Sequence, residues 1–328
     1  MRLDLILLAT FTIIVFPGII FLVALALFTD YFVRKISARY QSRMGPTYVG
    51  PLGILQPLYD FLKLIRVKEI VASKYSMPRV AEICLLLGMA FIVASVIFLP
   101  ISPFNVVCEF DVFIFFYLSS VMPVFMLILA SLSMPGPYTN LGVSRLLSMI
   151  TIAEPSYFIS ILVPIYLATR RSQQFLSITG TYRSIYVLYQ NPAFLVILAL
   201  VAIAYAMSVQ VKAMYPPFNI PEAEQEIIAG FETEFSGPLL GLAKLLHYLD
   251  VNIALLAGVY VILGGPAPFS HTSIRGVIVL VLKYLALLFL VVTLKNIMGR
   301  FRIEQALTTI FRYSFIPAII AAILAIII

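Results

Sequence analysis

The chain has no tryptophan, two cysteines, two histidines and only 11% charged residues among its 328. Each scarcity excludes something. Cys84 and Cys108 cannot by themselves build a metal or iron–sulfur site. Cys84 lies inside an apolar run and reads as a buried, inert thiol, whereas Cys108 falls in a short connection. The two histidines are His247 and His271. With no tryptophan, the aromatic belts of a membrane protein must come from 18 Tyr and 25 Phe. A soluble domain carries about 25% charged residues, so little of this chain can form one. P-loop, dinucleotide-binding glycine fingerprint, HExxH and GxSxG patterns are all absent. So are tandem repeats of the solenoid kind and inverted pairs of spans.

What is present is apolar. The composition is 62% hydrophobic and the mean hydropathy is +1.05. Runs of about 20 apolar residues cross a ~30 Å hydrocarbon core as helices. About eight such runs occur, near 4–28, 80–100, 111–133, 147–169, 194–212, 237–263, 274–296 and 305–327. The ten-residue alternation of an outer-membrane barrel is missing. The expected fold is an all-α integral membrane protein: one membrane domain over 1–328, a bundle of about eight transmembrane helices, plus a cytoplasmic-side amphipathic helix. The first run is too long for a signal-peptide core, has only Arg2 before it and no A-x-A site after it, and is read as a retained helix with a kink at Pro17-Gly18.

The basic residues set the orientation. Arg34, Lys35, Arg39, Arg43, Lys63, Arg66, Lys68, Lys74, Arg79, Arg145, Lys295, Arg300 and Arg302 fall on one side of the spans, against Arg2, Arg170, Arg171 and Arg183 on the other. The positive-inside rule then places the odd-numbered connections in the cytoplasm and both termini outside a cell inner or plasma membrane. The net charge of +7 follows from that topology and does not point to nucleic acid.

Two cytoplasmic connections stand out. Residues 30–79 hold Gly45-Pro46 and Gly50-Pro51, then LGILQPLYDFLKLIRV, an amphipathic helix with Leu52, Leu55, Leu58, Tyr59 and Leu62 on its apolar side, suited to the membrane interface or to a partner. Residues 213–236 gather Glu222, Glu224, Glu226, Glu232 and Glu234, with no Lys or Arg among them. On a continuous helix Glu222, Glu226 and Glu234 would share a face, while Gly230 and the flanking prolines favour a broken one. The apolar residues around them (Phe218, Ile220, Ile227, Phe231, Phe235) should draw the segment onto the protein body, where carboxylates take up protons more readily. A solvated acidic loop is the plainer alternative.

Ionisable residues inside spans cost about 2.5–3.5 kcal/mol each on insertion scales and usually face the bundle interior. Glu154 stands at the expected start of the fourth span, nine residues after Arg145. Lys244, His247 and Asp250 follow one another at helical spacing in the sixth. These four are read as an interior polar chain. Glu82 reads equally well as an interfacial residue, and Lys283 is one further charge in the seventh span.

Three segments resemble one family. ARYQSRMGPTYVGPLGILQPLYDFLKL is similar to its R-x-Q-x-R-x-G-P-x-x-V-G-P-x-G-x-L-Q-P-x-x-D-x-x-K-L. PFNIPEAEQEIIAGFETEFSG is similar to its P-F-D-x-x-E-A-E-x-E-L-x-x-G-x-x-x-E-Y-S-G, and GRFRIEQAL to its P-R-x-R-x-D-Q-L. The family is the eight-helix membrane subunit of respiratory complex I, often called subunit 1, with counterparts in membrane-bound hydrogenases and sulfane reductases. The resemblance covers nearly the whole chain.

It implies a redox-inert anchor that docks a peripheral arm and couples electron transfer to proton or sodium movement. By motif, Arg34, Arg39, Arg43, Gln56 and Asp60 would belong to a chamber and docking surface, with Arg302 and Glu304 matching the late Arg and Asp. Arg145, Glu154, Glu222, Glu224, Glu226, Glu232, Glu234, Lys244, His247 and Asp250 would serve the proton path. The resemblance implies no cofactor on this chain, iron–sulfur clusters in partner subunits and a quinone contact in quinone-reducing members. Its implied partners are peripheral iron–sulfur and large catalytic-type subunits, antiporter-like and small membrane subunits, and lipid. Asn219 replaces the family's Asp, and Leu246-His247-Tyr248 replaces A-E-Y; Lys244 is more like the hydrogenase branch, the Gly-Pro loop more like the quinone branch. The acceptor stays open among quinone, protons and polysulfide. A free-standing proton-coupled secondary transporter and a purely structural anchor are the competing functions.

Overall fold

The computed structural model describes residues 10–101, 108–170, 175–270 and 273–327. Arg2, Arg171 and His271 lie outside them. Among the described residues there is no strand. Eight helices among the described residues are long and apolar enough to cross a membrane: α1 (Thr10–Tyr40), α3 (Pro78–Phe98), α4 (Asp111–Leu132), α5 (Pro137–Thr169), α7 (Phe194–Lys212), α8 (Pro238–Val261), α9 (Ile274–Ile297) and α10 (Ile303–Ile327). Two shorter helices join them, α2 (Gln56–Arg66) and α6 (Ile178–Leu188).

The chain folds this way because backbone N–H and C=O groups in hydrocarbon must be satisfied within the segment, which a helix does. α1 breaks its hydrogen-bond ladder at Pro17-Gly18, the expected kink. It then continues to Tyr40, well past the expected end near 28, so Arg34 and Arg39 project from a helix and not from the connection. α5 likewise begins at Pro137, ten residues before the expected start at 147, which puts Glu154 in mid-helix instead of at its entrance. Both differences have one cause. Hydropathy marks where a helix meets lipid, whereas the helix's own backbone hydrogen bonds carry it beyond that boundary.

α8 is the hub. Of its most apolar window 72% is buried, against 22% for α9 and 28% for α1 and α10. It packs against α1, α3, α7 and α9. The outer helices turn their free faces to lipid, which is why many Leu, Ile and Phe on them are exposed. α6, for which the sequence offered no signal, is started by a residue from another element. Asp111 accepts hydrogen bonds from Ile178 N at 2.8 Å and Ser177 Oγ at 2.9 Å, satisfying groups a helix N-terminus leaves open.

At the other end of the bundle, α2 and the acidic segment meet. Val71 N donates to Ser236 Oγ at 2.7 Å and Ser236 Oγ to Val71 O at 3.0 Å. Phe301 N donates to Pro217 O at 3.1 Å. The acidic segment is thereby clamped between the connection after α2 and the turn before α10.

Candidate functional site

Four helices bring a charged centre together inside the bundle. α4 contains a π turn, Tyr117–Val121, whose extra residue directs Ser119 and Ser120 inward. Ser120 Oγ donates to Glu154 Oε2 on α5 and accepts from Lys212 Nζ on α7 at 2.7 Å. Lys212 Nζ also lies 3.0 Å from Glu154 Oε1 and 3.2 Å from Asp250 Oδ1 on α8. Its ammonium thus donates hydrogen bonds to Ser120 and Glu154 and pairs in charge with Asp250. The Tyr157 ring stands 5.1 Å from the same nitrogen, a cation–π contact. The Lys212 side chain is 2% exposed. One cation between two carboxylates leaves room for one more proton, or for one net negative charge, and a buried ion can be held only by such pairing.

His247 connects this centre to the acidic segment. Its Nε2 lies 3.2 Å from Ala213 O, directly after Lys212 in the chain. A gap of about 20 Å³, enough for one water, is bordered by Glu154, Lys212, His247 and Asp250. His247 also borders a larger cavity of about 410 Å³, with Glu222, Glu224, Glu232, Lys244, Tyr248 and Lys295 around it. Lys295 Nζ sits 4.2 Å over the Tyr215 ring.

The acidic segment makes that cavity because its apolar residues are anchored. Phe218, Ile220, Phe231 and Phe235 are buried, and only two short turns form between them, an α-helical one at Glu224–Ile227 and a 3-10 one at Gly230–Glu232. At Gly230 φ is +56°, and an added Cβ would fall 1.7 Å from Pro221 O, so the loop closes there on a glycine. Opposite, Gly142 of α5 lets Phe231 N approach to where a Cβ would be 2.3 Å away. Glu222 and Glu232 are thus held over the cavity. Burial pushes Glu222 up to about 7, with Lys244 and Lys295 opposing and Glu224 adding to the rise. Burial also pushes Glu232 up to about 8, with Glu222 adding to it and Lys244 opposing.

The five glutamates do not act as one face. Glu226 points away from the cavity and bridges Arg145 Nη1 at 2.6 Å and Arg300 Nη2 at 2.8 Å, its side chain 47% exposed. The hydrogen bond from Arg145 and the charge of Arg300 hold its carboxyl below the usual range. The face shared by Glu222, Glu226 and Glu234 is therefore not formed, because a single turn ends before the spacing of four can operate twice. Glu224 is exposed at the cavity rim, and Glu234 packs against Gly136.

Of the residues expected at a docking surface, Arg34, Gln56 and Asp60 meet. Arg34 reaches Asp60 Oδ2 at 2.6 Å and Asp30 Oδ2 at 2.8 Å, and Gln56 Nε2 donates to Asp60 Oδ1 at 3.0 Å. Arg34 and Asp60 border a second cavity of about 220 Å³ that shares Lys244 and Tyr248 with the first. Arg39 and Arg43 are exposed beside the end of α1. Arg302 and Glu304 are exposed at the start of α10, where Gln305 Oε1 accepts from Arg302 N at 3.1 Å. Glu82 is exposed, and Lys283 caps the carbonyls of Leu263, Gly265 and Ala267 at 2.7–3.0 Å.

Sequence reasoning missed Lys212, the cation at the middle of the centre, as well as Asp30 and Lys295. The signal existed: a lone lysine closing an apolar run, in a chain with few charges. Lys244, which helical spacing groups with His247 and Asp250, instead opens onto both larger cavities, away from the Asp250 pair.

The fold and this arrangement define a class: an all-α multi-pass membrane protein with a buried charge centre joined to a polar cavity at one end of the bundle. The chain belongs to the NADH dehydrogenase family, whose pattern it matches over residues 12–327. It is similar to an NADH-quinone oxidoreductase subunit of Bacteroides fragilis, 30% identical over 304 residues, 88% of this chain and 82% of that one. The corresponding subunit of Pelagibacter ubique is 28% identical over 277 residues, 83% and 80% of the two chains. A chain of the membrane-bound sulfane sulfur reductase, an archaeal respiratory membrane complex, shares the fold with a TM-score of 0.74 at 24% identity, over 94% of this chain and 96% of that one.

Proposed function

We propose that this chain is the redox-inert membrane subunit of a complex-I-like oxidoreductase, coupling electron transfer beside its acidic segment to proton or sodium movement through the bundle. The observation that carries this reading is the continuity of two charged sites. Glu222 and Glu232 stand over the larger cavity, His247 borders that cavity and the small gap, and the gap opens on Glu154, Lys212 and Asp250. A change of charge near the cavity shifts the protonation of Glu222 and Glu232, and one pKa unit is worth about 1.4 kcal/mol. That bias passes to a centre with one cation and two carboxylates, whose proton occupancy it can change.

In this reading the iron–sulfur clusters and the large catalytic-type subunit belong to partners that dock on α2, the acidic segment and Arg34, Arg39, Arg43, Arg302 and Glu304. Antiporter-like and small membrane subunits flank the lipid-facing helices. The docking end faces the cytoplasm, following the basic residues there. The terminal acceptor is quinone, protons or polysulfide; relatives named for quinone reduction and a fold shared with a sulfane reductase support the first and the last.

The test uses the native complex in liposomes. Glu154→Gln and Lys212→Met are expected to leave electron transfer running and to abolish ion pumping. Normal pumping in both variants would overturn the reading. Should the chain purify without iron–sulfur partners and exchange protons alone, it is a secondary transporter instead.

A further inference from the structure

One turn along α7 from Lys212, on the side away from the acidic segment and about 6 Å off, lies Ser208. Three helices place hydroxyls together there. Ser156 Oγ of α5 and Ser314 Oγ of α10 are 2.6 Å apart; Ser208 Oγ is 2.7 Å from Ser314 Oγ and 3.3 Å from Ser156 Oγ. All three are fully buried. Ala204 O accepts from Ser208 at 2.9 Å and from Ser314 at 3.0 Å. One turn farther along α5, Ser160, also buried, donates to Ser156 O at 2.7 Å.

Ser314 owes its position to a π turn, Phe311–Phe315. Two π turns occur among the described residues, and each delivers a serine to the polar interior. The first sets Ser120 against Glu154 and Lys212; the second sets Ser314 against Ser156 and Ser208. Such turns sacrifice regular helix geometry and recur at functional sites. Small residues, serine included, let helices pack closely and hydrogen-bond across an interface; here three hydroxyls from three helices meet at one point. A cluster of three hydroxyls has a property alanine lacks: each O–H can turn between a backbone carbonyl such as Ala204 O and a neighbouring hydroxyl oxygen, giving more than one donor arrangement without any net charge.

We propose that Ser156, Ser208 and Ser314 form a proton relay, a second segment of the path that begins at Glu154, Lys212 and Asp250 and leads away from the acidic segment. The proposal rests on the ion-path reading above. A proton released by the Lys212 ammonium crosses the one turn to Ser208 through a bridging water and forms a new O–H bond on that serine. That oxygen's own O–H bond breaks toward the next serine, and the last serine releases its proton to a water beyond the cluster, on the side away from Lys212. The cluster is left with its donors rearranged, and rotation of the hydroxyls resets it.

The experiment measures protons moved per electron by the whole complex in liposomes. Ser314→Ala is expected to lower that ratio most of the way to zero with electron transfer little changed, because loss of a positioned proton-transfer group slows transfer about 10²–10⁴-fold. Ser314→Thr, which keeps the hydroxyl, should restore it. Ser156→Ala and Ser208→Ala should behave like Ser314→Ala, and they carry the test if one variant fails to assemble. Unchanged ratios in the alanine variants overturn the relay, as does an assembled Ser314→Thr complex that fails as alanine does. Lys212→Met separates the two ideas. If it uncouples while the serine variants pump, only the relay falls; if it too pumps normally, the ion-path reading falls and takes the relay with it.

Discussion

The charged centre inside the bundle and the acidic cavity at its end solve the same problem in opposite ways. At the centre, Glu154 and Asp250 share one ammonium, and Ser120 bonds to both that ammonium and Glu154. At the cavity, Glu222 feels the charge of Glu224, and Glu232 that of Glu222, with Lys244 opposing both and Lys295 opposing Glu222. The first arrangement keeps charge in a dry place; the second keeps protons on carboxylates near neutral pH. The proposed coupling needs both, because a fully compensated site does not respond to a distant charge and an uncompensated one cannot sit in the membrane.

The comparison breaks most severely at Lys212. Lys212→Met leaves two carboxylates buried without their cation, and breaking such a pair costs about 3–5 kcal/mol. Thermal unfolding of the chain in detergent should show a large drop, and Lys212→Met combined with Glu154→Gln should recover part of it. If the single variant unfolds like the parent, the centre is not held by this pairing.

Gly230→Ala comes next. A side chain there meets Pro221 O and must hold φ at +56°, a conformation that costs non-glycine residues of order 1–3 kcal/mol. The loop should open, which limited proteolysis between Glu222 and Glu234 would detect as faster cleavage while the helices stay intact. An unchanged cleavage rate would mean the loop does not depend on that turn.

A smaller effect separates the two regions by pH. Glu222 and Glu232 have raised values in the folded protein, about 7 and about 8, against 4.5 for a free glutamate. The folded state therefore binds more protons, and the stability this contributes is present below about 4.5 and lost as pH rises through about 7 and 8. Melting temperature should fall across that window, and Glu232→Gln should flatten the fall. A flat parent profile would show that the cavity does not hold these protons.

The smallest effect is expected at Glu226. Its bonds to Arg145 and Arg300 are exposed, where an ion pair is worth ~0.2–1 kcal/mol and salt weakens it. Glu226→Gln should barely move the melting temperature, and less in high salt than in low. A large loss would place Glu226 with the buried glutamates after all.

Particular residues mark how far the sequence could be read. The eight apolar runs and the amphipathic stretch ending at Arg66 were legible because hydropathy and helical spacing are properties of neighbours in the chain. Glu154 and Asp250 could be singled out because a charge within an apolar run is conspicuous. Their shared partner, Lys212, could not be assigned, since it closes its run where a lysine also fits an interfacial role. The acidic segment misled in one respect: a spacing of four suggested a common face for Glu222 and Glu226, but the helix stops after one turn and sends them to different sides.

By itself, then, the sequence determined that the chain crosses a membrane as about eight helices, which end carries the basic residues, and which family its long motifs resemble. Those are local quantities, set by transfer of each segment from water to hydrocarbon and by the backbone's need to satisfy itself there. Only the tertiary structure decided that Lys212 sits between Glu154 and Asp250, that Glu226 stands apart from Glu222 and Glu232, and that Ser156, Ser208 and Ser314 form a cluster. These are meetings of residues distant in sequence, fixed by how α5, α7, α8 and α10 rotate against one another. That rotation is settled by packing over whole helix faces and leaves no periodic trace in any one segment.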